Sequence, residues 1–190
     1  MQETFDTIEY EVNDMGMTKV FYIVKKNQFT SEKIREKLSK VSALDDLYYT
    51  VFYQETKDWF QVFDEYCCEG RYNADEAFMV SLEKSFGSTV IALSTFDSDA
   101  AFFSICENGE LHRYVWADKL MLEEFGFEEY EPAMPTELEN YVDGKALQKI
   151  WVAHYVLAED FLRDTAQLLN AFLIFDENDV EEETEIIDCE

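Results

Sequence analysis

The sequence predicts an α+β fold, with a sheet-rich part over about 17–116 followed by a mainly helical part over about 117–170. Three features predict it. Short apolar runs are rich in β-branched and aromatic residues, two amphipathic stretches with helical spacing lie between them, and an Asn-Gly pair separates two further alternating runs. The 190-residue length suits one domain, and a chain of that size buries roughly 70% of the surface its unfolded form exposes. With 16 Phe, 11 Tyr and 3 Trp the core needs no metal or disulfide staple. One compact unit over 1–175 and a flexible acidic tail over 176–190 are expected.

Lys19–Lys25 (Lys-Val-Phe-Tyr-Ile-Val-Lys) is a dense apolar run of the length of a central strand. Thr30 or Ser31 then caps a helix in which Ile34, Leu38 and Val41 share a face, leaving Glu32, Lys33, Glu36 and Lys37 to water. Residues 47–54 alternate, with Leu47, Tyr49, Val51 and Tyr53 on one side. Residues 59–66 answer them across a turn at 55–58, with a helix start as the alternative for that segment. Asn73 caps a second helix whose Ala74, Phe78, Leu82 and Phe86 share a face, and Gly87 ends it in the left-handed conformation. Residues 88–95 form a buried strand.

The resulting order, β-α-β-β-α-β, is the split βαβ arrangement of ferredoxin-like folds. Residues 100–106 and 111–116 flank Glu107-Asn108-Gly109-Glu110, and Asn-Gly favours a tight hairpin because both residues tolerate positive φ. That hairpin extends the sheet. Short helices over 118–125 and 136–141, separated by a loop around Pro132 and Pro135, lead to a long helix over 145–170. Its apolar stripe runs through Leu147, Ile150, Trp151, His154, Leu157, Phe161, Leu162, Thr165, Leu168 and Leu169.

The net charge is −27, from 42 Asp and Glu against 15 Lys and Arg. Nine acidic residues and no basic one fall in 176–190, so the rest of the chain still carries −18. Such a field repels nucleic acid and anionic membrane and speeds the approach of a cationic protein. The plainer alternative is that acidity serves only to keep the protein in solution. The N-terminus lacks the basic segment and apolar stretch of a secretory signal, and no run of about 18 apolar residues occurs, so a cytoplasmic location is expected. Cys67, Cys68, Cys106 and Cys189 lack CxxC spacing and are read as reduced, structural thiols.

Phe96-Asp97-Ser98-Asp99 is the most site-like string, because two carboxylates two residues apart after an apolar strand can grip a divalent cation. The spacing resembles the Asp-x-Asp of aspartate-based phosphotransferases and of metal-dependent glycosyltransferases. The phosphotransferase pattern departs at Ala101, where Thr or Val is required, and in the missing Gly-Asp motif. A turn between strands, in which Asp97 and Asp99 bond backbone amides, is the simpler reading of the string. Only His112 and His154 are available as imidazoles, both read as structural, and neither serine nor cysteine carries a nucleophile signature. Neither a cofactor nor a catalytic residue is assigned.

Carboxylates interleaved with aromatic rings remain, most densely at Glu123, Glu124, Phe127, Glu128, Glu129, Tyr130 and Glu131. Rings that fill pockets and acids that steer suit a basic protein partner. In size, acidity and lack of a catalytic constellation the chain is similar to bacterial immunity proteins that neutralise basic toxins, and to acidic DNA mimics. A non-catalytic binding module is therefore expected, with a metal-dependent hydrolase or transferase on Asp97 and Asp99, or a small-ligand-binding regulatory domain, as alternatives.

Overall fold

A computed structural model of the chain describes residues 16–41, 49–64, 68–175 and 177–189. Strand β1 (Lys19–Lys25) leads to α1 (Ser31–Leu38), then to the hairpin β2 (Tyr49–Tyr53) and β3 (Trp59–Phe63). Helix α2 (Glu76–Phe86) precedes β4 (Val90–Phe96), β5 (Ala100–Glu107) and β6 (Glu110–Trp116). Helix α3 (Lys119–Phe125), a 3-10 turn (Thr136–Asn140), α4 (Gly144–Val152) and α5 (Ala158–Leu168) follow. A second 3-10 turn (Glu177–Asp179) and β7 (Glu185–Cys189) complete the described chain.

All seven strands join one antiparallel sheet in the order β6-β5-β4-β1-β3-β2-β7. Strand β1 sits at its centre and is covered on both faces, which is why its five middle residues are apolar without alternation. Val20, Tyr22 and Val24 face one core, built with Ile34 and Leu38 of α1 and Phe78, Met79 and Leu82 of α2. Phe21 and Ile23 face the other, against Leu147 of α4 and Phe161 and Leu162 of α5. A third cluster, Ala100, Phe102, Val115, Phe127 and Tyr130, closes the β5–β6 end. Among the described residues no helix is long and apolar enough to cross a membrane.

Local signals placed most elements. Thr30 caps α1 by accepting from Lys33 N, and Gly87 ends α2 at φ 58°, a left-handed conformation natural for glycine. Asn108 and Gly109, both at positive φ, turn the β5–β6 hairpin between the paired Glu107 and Glu110. Residues 59–63 are strand, which resolves the strand-or-helix alternative there; Tyr66, Cys67 and Leu47 lie outside the described residues.

Four expectations need correction. The seven-strand order does not match a ferredoxin-like sheet as a whole. Asp75, not Asn73, caps α2, its carboxylate accepting from Phe78 N at 2.8 Å. Part of the stretch read as a flexible tail is strand β7, paired with β2. The expected long helix over 145–170 is two helices broken at 153–157. Two hydrogen bonds with residues distant in the sequence explain the break. The Trp116 indole donates to Trp151 O at 3.1 Å, taking the acceptor that a continuing helix would need at that turn. Ala158 N then donates to Ser98 O at 2.8 Å instead of to the preceding turn.

Candidate functional site

The Asp97-Ser98-Asp99 turn links β4 to β5 and holds two consecutive residues at positive φ, 50° and 58°. Its backbone is wired to the chain before β1. Ser98 N donates to Met17 O at 3.1 Å, Asp97 N donates to Thr18 Oγ1 at 3.0 Å, and Met17 N donates to Ser98 Oγ at 2.8 Å. The approach is so close that a Cβ on Gly16 would stand 2.3 Å from Asp97 O. The Ser98 hydroxyl in turn donates to Glu159 Oε1 in the first turn of α5. The turn therefore works as a clamp between the N-terminal segment, the sheet and α5, while both aspartates face water. Among the described residues no group of three His, Cys, Asp or Glu is placed to hold a metal ion.

The break between α4 and α5 creates a cleft of about 480 Å³ next to this turn. Trp116, Tyr155, Leu120, Met121 and Val156 supply its apolar surface. Asp99, Asp118 and Glu124 supply carboxylates, and His154 its imidazole. Leu120 is 73% exposed and Val156 80%, and Val152 and Leu157 are also exposed on the α4–α5 segment. Asp118 is held in place as the cap of α3, its Oδ1 accepting from Met121 N at 2.9 Å. Tyr155 is fixed by donating to Asp164 Oδ2 at 2.7 Å; burial and that carboxylate push its phenol up to about 12.

The structure divides the residues singled out from sequence. Asp99 and Glu124, from two separate strings, line the same cleft, whereas Asp97 does not. Glu123, Glu128, Glu129 and Glu131 are exposed, but Phe127 and Tyr130 are buried against Phe102 and Val115 as core. They hold the acidic segment on the sheet and offer no ring to a partner. His154, expected inside a helical stripe with a buried partner, is exposed at the helix break. His112 lies half-buried on β6, with Nδ1 3.5 Å from Glu137 Oε1.

Cys68 and Cys106 are buried free thiols. Burial pushes them up to about 12 and about 11, far from the thiolate a nucleophile requires. Sequence reasoning missed Trp116, Asp118, Leu120, Met121, Tyr155 and Val156 as cleft residues, and two of them, Leu120 and Val156, carried a signal. Their signal was an excess of apolar residues over what one helix face can bury: Leu120 beside Met121 and Leu122, and Val156 off the stripe of its neighbours. Comparison with family models, with characterised proteins and with solved structures finds no match for this chain.

Proposed function

We propose that the chain is a non-catalytic acidic binding module whose cleft beside α3 engages a basic protein surface bearing an apolar anchor. The observation that carries the reading is the meeting, in one cleft, of exposed Leu120 and Val156 with the carboxylates of Asp99, Asp118 and Glu124. Apolar surface gathered inside a polar rim is the usual character of an interaction site. The carboxylates, reinforced by the −27 of the whole chain, steer a cationic partner inward. The apolar floor then supplies contact that survives desolvation.

An immunity-type inhibitor of a basic toxin is the concrete form of this reading: the acidic cleft covers a cationic surface that the toxin needs for its substrate. A cytoplasmic setting, where Cys68 and Cys106 stay reduced, belongs to the same proposal. So does the ancestry of the fold. The run β4-β1-β3-β2, antiparallel throughout, supports a ferredoxin-like origin for the central strands, with β5–β6 and β7 as additions on either side.

The test uses Leu120→Asp combined with Val156→Asp, both at exposed positions where folding is spared. A partner captured at low salt and then purified should bind the wild type less tightly as salt rises. It should bind the double variant about tenfold or more weakly by calorimetry, with the melting temperature unchanged. A double variant that binds like the wild type overturns the proposal.

A further inference from the structure

The cleft beside α3 contains a rigid aromatic corner. Trp116 and Tyr155 meet there nearly at right angles, with ring centroids 5.9 Å apart and planes 82° apart. Phe161 holds both rings, stacking on Trp116 at 4.5 Å and meeting Tyr155 edge-on at 5.4 Å. Their polar tips are anchored as well, the indole N–H on Trp151 O at 3.1 Å and the phenol O–H on Asp164 Oδ2 at 2.7 Å. Both rings remain partly exposed. A corner fixed in this way need not reorganise to receive a ligand.

The carboxylates around the corner have spare capacity. Asp99, Asp118 and Glu124 are exposed, and none has an ion-pair partner among the described residues. Lys119, the one basic residue of α3, is turned to Glu123 at 3.3 Å. Asp118 uses Oδ1 in capping the helix and keeps its other oxygen. It stands six residues before Glu124, so the helix rise separates their backbones by roughly 9 Å. Leu120 and Met121 lie between them in the wall, and Asp99 enters from the β4–β5 turn.

We propose that the cleft takes an arginine side chain of the partner, its guanidinium entering between the two rings and the three carboxylates. The inference rests on the reading of a basic partner in this cleft and names the residue that enters beside the apolar anchor. Among the described residues the acids are too dispersed to hold a metal ion, but a cation with several separated donors can serve them. A guanidinium has such donors in a rigid planar fork, stacks on aromatic faces and leaves water more readily than an ammonium. Lysine offers instead a compact, strongly hydrated point charge. The methylene stem of the arginine lies against Leu120 and Val156, which gives those exposed side chains an apolar cover.

The test is an amide- and indole-resolved NMR titration of the isotope-labelled full chain with three capped tripeptides, Gly-Arg-Gly, Gly-Lys-Gly and Gly-citrulline-Gly. The arginine peptide should shift the Trp116 indole and the amides of 118–124 and 154–156. It should bind about fivefold or more tightly than the lysine peptide. Citrulline keeps the shape without the charge and should give no saturable shift. Asp99→Asn, Asp118→Asn and Glu124→Gln together should weaken the arginine peptide about tenfold or more, while an asparagine still caps α3.

Equal affinity of the arginine and lysine peptides for these residues overturns the arginine assignment and leaves the basic-partner reading in place. Undiminished binding to the triple variant overturns it too. Shifts outside the cleft alone, or none at all, also overturn it, and the Leu120 and Val156 variants with the captured partner then judge that reading separately.

Discussion

Ser98→Ala removes one hydroxyl that joins three parts of the molecule. The Ser98 oxygen accepts from Met17 N at 2.8 Å and its proton goes to Glu159 Oε1. Glu159 is 8% exposed, and its other oxygen, Oε2, has no hydrogen-bond partner among the described residues. The variant therefore leaves a buried carboxylate without either bond and orphans a backbone N–H. A hydrogen bond to a charged group contributes about 1.5–3 kcal/mol and an unsatisfied buried donor costs about 1 kcal/mol, so the expected loss is about 3 kcal/mol. Serine and alanine tolerate the left-handed backbone at position 98 about equally poorly, so strain cancels in the comparison. For a chain of this size that loss lowers the melting temperature by roughly 6–12 °C.

Urea unfolding followed by tryptophan fluorescence measures the loss directly, and an unchanged slope with denaturant shows that the folded and unfolded states keep their compactness. Glu159→Gln is the control. Its amide still accepts from Ser98 while the buried charge is gone, so it should cost about 1 kcal/mol or less. A Ser98→Ala chain within about 0.5 kcal/mol of wild type would refute the assignment of the turn as a clamp.

Two further predictions concern the cores. Phe161 is fully buried among Phe103, Trp116, Trp151 and Tyr155, with its ring stacked 4.5 Å from that of Trp116. Phe161→Ala should cost about 3–5 kcal/mol in the same urea assay, and a cost below about 1 kcal/mol would mean that α5 does not pack as described. Tyr141 donates to Glu107 Oε1 at 2.6 Å, and burial followed by that carboxylate pushes its phenol from its ordinary 10 up to about 12. Its neutral form is thus favoured by folding, so the contribution is whole below pH 10 and is lost as pH rises through about 12. Alkaline titration of stability should be shallower in Tyr141→Phe over that window, and an identical profile would contradict the assignment.

The sequence alone determined the elements whose causes are local. The capped start of α1 at Thr30, the left-handed stop of α2 at Gly87 and the Asn108-Gly109 hairpin each depend on residues within a few positions of one another. The unbroken apolar run of β1 likewise announced a strand buried on both faces. The strong net negative charge was equally legible. Of the cleft, only Asp99 and Glu124 were legible, as separate acidic strings with nothing to join them.

What only the tertiary structure decided depends on partners distant in the chain. The pattern of 145–170 reads as one helix because its apolar spacing is continuous, and no proline or glycine interrupts it. It is broken by hydrogen bonds from Trp116 and to Ser98, groups that periodicity does not register. That break exposes Val156 and His154 and opens the cleft. Phe127 and Tyr130 are core for the same reason: an aromatic ring between acids is indifferent to burial until Phe102 and Val115 are brought beneath it. Strand β7 belongs here too. Its isoleucines are too few to outweigh the surrounding acids on composition, and they become a strand only because β2 offers a row of unpaired backbone groups to meet them.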